Sequence, residues 1–289
     1  MRLKPDRFNF LISNIPYVEP QRSLVKIGST FIRVHRLAQR EHIGANPGCR
    51  RLDRLVLDRS PLTFLLVHGI GLSATYMVPL AERLAEYGQV LLVDLPGFGD
   101  LPAPRHPLQI GDFADILTEI LRLNGIADPI LVGHSMGAQI VVEMMARNQD
   151  LYHRAALIGP PVFNEERSPA WVLARYTQSS VWERPSLIHL ALWSYLRATT
   201  VWMARIMPRV LTYPIEQRIA EIDPQAHLVF IRGEHDYLAP TRWLEHLASK
   251  VGHSRVVTID GAAHSTLYND EREVGNHILS LIRDDAIWE

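Results

Sequence analysis

The stretch Leu131-Val132-Gly133-His134-Ser135-Met136-Gly137-Ala138 decides the fold of this chain. The short apolar run before it, opened by Asp128-Pro129, predicts a buried strand. After it, apolar residues recur at helical spacing from Met136 to Arg147. The sequence therefore predicts a strand, a very tight turn and a helix, with Ser135 in the turn.

The two glycines beside Ser135 suit such a turn. Gly133 and Gly137 lie two residues before and after the serine, where a Cβ would crowd the crossing of strand and helix. A G-x-S-x-G pattern in this setting is typical of a nucleophile elbow, which presents the serine hydroxyl and points the first helical amides at the same space. Five such residues also occur by chance in protein cores, so the rest of the chain must decide.

Composition narrows the class of protein. The chain has 289 residues, is 47% hydrophobic and carries a formal net charge of −1, so it can bury a large core and has no global field to attract nucleic acid. Cys49 is the single cysteine, which excludes an intrachain disulfide framework. Neither a signal-peptide pattern nor an apolar run of about 18 residues occurs. We expect a cytoplasmic protein without stable membrane insertion.

From Pro61 onward, apolar strands alternate with helices. Continuous apolar strands separated by helices predict an α/β fold, with a mostly parallel central sheet covered by helices on both faces. Ligands of such sheets bind beyond the carboxyl ends of the strands. The predicted strands are 62–67, 90–93, 128–132, 155–158, 227–231 and 255–259, and the predicted helices are 74–87, 110–123, 136–147, 241–250 and 275–283.

Three segments fall outside this alternation. Residues 1–22 form an irregular N-terminal extension, residues 23–37 predict a hairpin around Gly28-Ser29, and residues 41–60 predict a polar loop that ends in an edge strand. Residues 162–222 show helical periodicity without strands and predict a helical cap inserted between core segments 23–161 and 223–289. The cap holds four of the six tryptophans, namely Trp171, Trp182, Trp193 and Trp202. Most are expected in the cap's own core, and a few in contact with a ligand.

A nucleophilic serine needs a base, and His264 is the best placed of 13 histidines. It follows the last predicted strand, after Gly261-Ala262-Ala263, on the edge where Ser135 is expected. The base needs a carboxylate to fix its tautomer. Asp236 follows the strand that ends at Ile231, with Glu234 as the nearest competitor. The chain order is then Ser135, Asp236, His264.

The oxyanion of an acyl-transfer intermediate needs two donors. One is expected from the backbone N–H of Met136, directly after the nucleophile. The other is expected from Ile70, in the loop His68-Gly69-Ile70-Gly71 that follows the strand 62–67. Gly69 and Gly71 would let the main chain approach a ligand there.

From about Ser23 to its C-terminus the chain resembles the α/β-hydrolase superfamily. Five motifs carry the resemblance, in order and at family-like spacing: His68-Gly69, Asp94-Leu95-Pro96-Gly97-Phe98-Gly99, Gly133-His134-Ser135-Met136-Gly137, Gly233-Glu234-His235-Asp236 and Gly261-Ala262-Ala263-His264. The resemblance implies the triad roles of Ser135, Asp236 and His264. It also implies that Asp94 belongs to a structural turn beside the site and is not catalytic.

The resemblance also narrows the activity. Serine at position 135 argues against haloalkane dehalogenases and epoxide hydrolases, whose similar turns carry aspartate. Carbon–carbon bond hydrolases usually have asparagine before the nucleophile and tryptophan after the base, where this chain has His134 and Ser265. A carboxylesterase or monoacylglycerol-lipase-like serine hydrolase is therefore favoured for an ester with an apolar portion. A carbon–carbon bond hydrolase, a cofactor-free perhydrolase and a non-catalytic ligand receptor are the alternatives.

The remaining expectations concern ligands. The substrate would be a small ester-like molecule bound by Gly69, Gly71, His134 and the four cap tryptophans. No metal or organic cofactor is expected, because no histidine–carboxylate spacing resembles a metal site. The motifs do not specify the natural bond type or the oligomeric state.

Overall fold

A single sheet organises the computed structural model, which describes residues 20–38, 62–161, 167–187 and 200–282. The described strands are β1 (Gln21–Ile27), β2 (Thr30–Leu37), β3 (Thr63–Val67), β4 (Gln89–Asp94), β5 (Ile130–His134), β6 (Arg154–Ile158), β7 (His227–Gly233) and β8 (His253–Ile259). They form an eight-stranded sheet in the order β1-β2-β4-β3-β5-β6-β7-β8. β1 pairs antiparallel with β2, and β2 with β4, whereas strands β3 to β8 run parallel to their neighbours. The predicted mostly parallel sheet is confirmed.

The central strands are apolar because both of their faces are covered. Every residue of β3 and β5 is buried, as parallel strands between two helical layers require. β1, by contrast, is largely exposed at the edge of the sheet. It begins at Gln21, so the hairpin starts slightly earlier than the predicted boundary at Ser23.

Nine helices occur in the described segments. They are α1 (Val78–Leu84), α2 (Ile110–Leu123), α3 (Met136–Arg147), α4 (Pro169–Ser180), α5 (Thr200–Thr212), α6 (Ile215–Arg218), α7 (Thr241–Ala248), α8 (Thr266–Asn269) and α9 (Glu271–Leu279). Helix α2 has the predicted bounds, and a reciprocal capping box between Gln109 and Asp112 fixes its start. None of these helices, in the part of the chain the structure describes, is long and apolar enough to cross a membrane.

Two helix predictions need correction. The predicted helix 74–87 is a 3₁₀ turn (Ala74–Met77) followed by α1, which carries a proline in its first turn and ends at Leu84. The predicted helix 275–283 begins at Glu271 instead and ends at Leu279. Its first turn is polar, with Glu271 and Glu273, so apolar periodicity does not reveal it, although acidic residues at a helix N-terminus are favourable.

The two faces of the sheet carry separate apolar layers. One layer contains α2, α3, α5 and α7, with Phe113, Met144, Trp202 and Trp243 among its buried side chains. The other contains α1 and α9, with Leu80 and Ile278. Helices α2 and α3 adjoin each other on the first face, which holds the nucleophile helix against the sheet.

The segment predicted as a cap is helical where it is described. Helices α4, α5 and α6 and the 3₁₀ turn Ile219–Glu221 lie in it, and its described residues contain no strand. Its bounds at 162 and 222 stay a prediction. Residues 1–19, the loop 41–60 and Trp193 lie outside the described residues.

Candidate active site

Ser135 lies in the sharp turn between β5 and α3, as its motif predicts. Its backbone torsions are φ 54° and ψ −122°, a region that non-glycine residues rarely adopt. The turn is held by the Ser135 amide, which donates to the Ile158 carbonyl at 2.9 Å. A Cβ on Gly133 would lie 2.4 Å from the Gly137 carbonyl oxygen, and a Cβ on Gly137 would lie 2.2 Å from that of Val67. Both glycines are therefore required by contact.

His264 and Asp236 form a buried pair at the carboxyl edge of the sheet. The His264 Nδ1 and Asp236 Oδ2 atoms are 2.9 Å apart, and both residues are almost completely buried. The other carboxylate oxygen, Oδ1, accepts the backbone N–H groups of Leu238 and Ala239 at 3.0 and 3.1 Å. Because the carboxylate takes the Nδ1 proton, Nε2 of His264 keeps its lone pair.

Charges around this pair move both pKa values. Burial alone would raise the pKa of the Asp236 carboxyl, but His264 and Arg232 outweigh burial and the pKa is lowered. Burial alone would lower the pKa of the His264 imidazole, but Asp236 and, less strongly, Glu183 raise it above its ordinary value. The pair therefore favours a carboxylate beside a basic imidazole.

Two further contacts bring Ser135 into the same place as the pair. The ring of His264 lies 4.7 Å from the ring of His134, the residue before the serine. A Cβ on Gly69 would lie 3.0 Å from the Ser135 Cβ. The loops after β3, β5 and β8 thus converge on one site, as expected of parallel strands that end at a common edge.

Gly159 is a residue of the site that sequence reasoning did not identify. It has φ 52°, and a Cβ there would lie 2.9 Å from Asp236 Oδ2 and 3.0 Å from the His264 ring. Only glycine combines that torsion with that contact. The pair Gly159-Pro160 at the end of β6 was a usable signal, because a glycine directly after a buried strand often marks close approach.

The predicted oxyanion loop is arranged around Tyr76. The Gly69 amide donates to the Tyr76 hydroxyl at 3.0 Å, so it is not the amide that would meet a ligand. Ile70 supplies the next amide along the loop, and Gly71 has φ 77°. Met136 is the first residue of α3. The placement of Ile70 and Met136 is consistent with their predicted roles, which remain proposals.

The prediction that His134 binds substrate is not supported by its surroundings. Its ring is 1% exposed, and both nitrogens are engaged inside the protein. Nδ1 accepts from the Tyr76 hydroxyl at 2.6 Å, and Nε2 donates to the His264 carbonyl at 3.0 Å. Burial and the neighbouring His264 lower the pKa of His134 to about 3. His134 is therefore a neutral link between two loops of the site.

The three described cap tryptophans occupy different environments. Trp202 is 1% exposed and lies against Gly97, where an added Cβ would be 2.2 Å from its Nε1; it belongs to the core. Trp182 is 53% exposed and stacks on His235 with ring centroids 3.7 Å apart. Trp171 is 50% exposed beneath the guanidinium of Arg175. Contact of any of them with a substrate remains a prediction.

Asp94 holds a turn beside the site and is charge-paired. Its carboxylate accepts from Arg33 and His35, each at 2.9 Å, and from the Ala74 amide at 2.7 Å. Burial alone would raise its pKa, but His35, His68 and the Ala74 amide hold it below the ordinary value. These partners give Asp94 a structural task. Among the described residues, no group of three or more histidine, cysteine or acidic side chains could hold a metal ion.

Known proteins show similarity at two levels. The model of the Alpha/beta hydrolase family matches residues 64–275. Among curated proteins, the chain is 31% identical to (E)-2-((N-methylformamido)methylene)succinate hydrolase of Acinetobacter baylyi over 32% of this chain and 36% of that protein. It is 32% identical to 2-(acetamidomethylene)succinate hydrolase of Mesorhizobium japonicum over 32% of this chain and 34% of that protein. The matches thus span about a third of the length of these relatives.

Solved structures share the fold at lower identity. The enol-lactonase of Burkholderia xenovorans superposes with a TM-score of 0.70 at 18% identity, covering 91% of this chain and 100% of that chain. A bacterial membrane phospholipase A gives a TM-score of 0.72 at 19% identity, covering 92% and 87%. At this identity the likeness shows a common fold.

Proposed function

We propose, since the chain belongs to the Alpha/beta hydrolase family, that it is a serine hydrolase that cleaves a carboxylic ester with an apolar portion. Ser135 would be the nucleophile, His264 the base and Asp236 the orienting acid. Met136 and Ile70 would supply the oxyanion donors. The site residues and their roles are inferred from geometry and chemistry together.

One observation carries the proposal. A buried imidazole–carboxylate pair, with Nδ1 and Oδ2 2.9 Å apart, lies at the sheet edge where a serine is held in a strained turn at φ 54°. A protein interior tolerates a buried charge only where partners compensate for lost hydration. Such a pair beside an elbow serine has the chemistry of nucleophile activation.

In the first half of the reaction, the Ser135 Oγ attacks the ester carbonyl carbon and gives its proton to the free Nε2 of His264. The bond to the alkoxy group then breaks, and the imidazolium returns the proton to the departing alcohol. An acyl group remains on Ser135. In the second half, His264 takes a proton from water, the resulting hydroxide attacks the acyl carbon, and the carboxylic acid leaves.

Asp236 would act through His264 and not on the substrate. Its bond to Nδ1 fixes the tautomer that leaves Nε2 free, and its charge stabilises the imidazolium during each transfer. The two backbone amides that hold Oδ1 keep the carboxylate in position. The alcohol product and the acid product both form without a metal or an organic cofactor.

An apolar substrate portion is proposed from the position of the cap. Helix α5 and the segment around Trp182 lie near loops of the site, and apolar side chains there could exclude water from the acyl-enzyme. The curated relatives act, by name, on acylated aminomethylene succinates. An amide bond is therefore one substrate class to test beside esters.

The test combines labelling with a substrate panel. A fluorophosphonate should label Ser135, located by peptide mass spectrometry, and Ser135→Ala should abolish the label. The panel contains p-nitrophenyl esters of rising acyl length, an N-acyl enamine, a ring-cleavage diketone and acetate with hydrogen peroxide. Ester turnover that exceeds the other three supports the proposal. Dominant diketone, amide or peroxide chemistry would replace it, and tight binding without turnover would indicate a receptor.

A further inference from the structure

A short part of the cap is fixed to both loops that carry the His264–Asp236 pair. The loop after β7, residues 234–240, is here called the acid loop, and the loop after β8, residues 260–265, the base loop. The Ser179 hydroxyl accepts the Tyr237 amide of the acid loop at 3.0 Å. The Trp182 ring stacks on His235, also in the acid loop, with centroids 3.7 Å apart.

Glu183 makes the contact with the base loop. Its Oε1 accepts the backbone N–H of Ser265 at 2.8 Å, and Ser265 directly follows His264. Its Oε2 is buried and has no hydrogen-bond partner within the described structure. A buried carboxylate oxygen without a donor is unfavourable on its own, so a nearby positive charge would stabilise it. The imidazolium of His264 is the group that can provide this charge.

The electrostatics agree with this pairing. Burial raises the pKa of Glu183, whereas the Ser265 amide and His264 lower it. In the other direction, Glu183 is one of the groups that raise the pKa of His264. The titratable and charged groups around this contact are His264, Asp236, His235, His134, Arg184 and Asp270.

We propose that Glu183 is a positioning residue for His264, a second carboxylate that anchors the base loop through Ser265 and stabilises the imidazolium from the cap side. Asp236 binds the ring edge at Nδ1, and Glu183 acts from a different element through the main chain and through its charge. The substrate-free part of this inference concerns only His264. Its catalytic meaning rests on the serine-hydrolase function proposed above.

The first experiment follows His264 itself and needs no substrate. Protein labelled at histidine ¹³Cε1 is titrated by NMR, with the His264 signal assigned from its loss in His264→Gln. Glu183→Gln keeps an oxygen that can accept the Ser265 N–H and removes the charge. We expect the His264 pKa to fall by at least about 0.3 pH unit, because the imidazolium loses a neighbouring anion. The Ser265 amide shift should stay near its wild-type value.

The matched variants separate charge from anchoring. Glu183→Ala removes both, so the His264 pKa and the Ser265 amide shift should both change. Ser179→Ala loosens the cap from the acid loop without altering charge, and it should leave the His264 pKa in place. Glu245→Gln removes a carboxylate from the exposed side of α7 and should change neither quantity.

A wild-type measurement protects the test against variants that fold poorly. In protein labelled at the glutamate carboxyl ¹³C, the Glu183 signal should show an inflection at the pH where His264 titrates. An unchanged His264 pKa in folded Glu183→Gln, or a Glu183 signal without that inflection, would overturn the proposal. The serine-hydrolase function fails on other evidence, namely absent labelling of Ser135 and absent turnover. If that function holds, Glu183→Gln should also move the acidic limb of kcat/KM to lower pH.

Discussion

The serine that we assign as the nucleophile is held in a backbone conformation that is itself costly. Among the described non-glycine residues, positive φ occurs only at Ser135 and Asp100. A residue in such a region costs about 1–3 kcal/mol and persists where the surroundings over-determine it. Here the strand–helix crossing at Gly133 and Gly137 leaves no other path for the chain. The strain is tolerated because it presents the hydroxyl to the site.

This strain gives the nucleophile a signature in stability as well as in activity. Ser135→Ala and Ser135→Gly should both reduce turnover by roughly 10⁴–10⁶-fold, as loss of a triad serine does. The glycine variant should be more stable than the alanine variant by about 1 kcal/mol, since glycine accepts positive φ without a Cβ clash. Urea denaturation of both variants provides the comparison. Equal midpoints would mean that the turn is not strained, and residual activity above a tenth would remove Ser135 from its role.

The pKa of His264 determines where activity is lost on the acid side. The imidazole must be neutral to accept a proton, and its pKa is raised above the ordinary 6.5 by Asp236 despite burial. The kcat/KM profile should therefore fall as pH decreases through a midpoint above 6.5, a little higher than an ordinary histidine predicts. Asp236→Asn should lower that midpoint and reduce kcat roughly 10³–10⁴-fold. A profile that is flat from about pH 5 to 8 would argue against a histidine base.

Sequence motifs could identify the residues that depend on order along the chain. Ser135, Asp236 and His264 follow predicted strand ends in a characteristic order, so simple patterns were enough to nominate them. Contacts between distant segments gave no such signal. Tyr76 bonds His134 across 58 residues, and Glu183 reaches Ser265 from a helical insertion. Those partners depend on how the cap and the loops pack, which local patterns do not encode.

At the scale of elements, the nucleophile helix α3 is joined to the cap by a buried carboxylate. Glu143 accepts the Tyr213 hydroxyl at 2.8 Å, the Arg218 guanidinium at 2.8 Å and the Arg147 guanidinium at 2.6 Å. Tyr213 and Arg218 flank and belong to α6, while Arg147 ends α3. Three donors on one carboxylate compensate for its burial. The network therefore fixes the base of the cap on the helix that begins at Met136.

Removing this charge should loosen the cap without touching the reacting groups. Glu143→Gln should destabilise the protein by about 1–3 kcal/mol, because two guanidinium groups lose their shared anion. Although burial would raise the pKa of Glu143, Arg218, Tyr213 and Arg147 lower it below 4.5. Its contribution is therefore present above pH 4.5 and is lost as pH falls through the lowered pKa.

The measurement is the free energy of unfolding in urea at pH 7 and at about pH 3, for wild type, Glu143→Gln and the exposed control Glu245→Gln. The difference between wild type and Glu143→Gln should shrink at the lower pH. A difference that is equal at both values would mean that the network is not electrostatic.

Strand prediction succeeded and helix prediction was less accurate for a common physical reason. Central strands such as β3 and β5 are buried on both faces, so their sequences are continuous apolar runs between turns. Helix ends are set by capping and by polar first turns. The polar start of α9 at Glu271 therefore carried no apolar periodicity, and the 3₁₀ turn at Ala74–Met77 was read as part of a helix.

At the scale of the whole molecule, the cap and the sheet are not energetically separate. Helix α5 contributes Trp202, Ile206 and Val210 to the same buried cluster as the side chains of α2 and α3. Gln139 of the nucleophile helix donates to the Val210 carbonyl at 3.0 Å. An insertion that shares a core with the main domain should unfold together with it. The sequence predicted a cap, but this shared core follows only from the packing.

Trp202 and Trp171 test this coupling as a matched pair from one insertion. Trp202→Ala should destabilise the entire chain by about 3–5 kcal/mol, since it leaves a large cavity beside Gly97. Trp171 is 50% exposed, so Trp171→Ala should change stability by no more than about 0.5 kcal/mol. Urea unfolding followed by far-UV circular dichroism and by hydrogen exchange of core amides should give one coincident transition for each variant. If Trp202→Ala instead produced an early transition with core amides still protected, α5 would be an independent unit. Because a shared core transmits the loss of Trp202 to α3, the coincident result would also place the start of that helix, where Ser135 lies, under the control of cap packing.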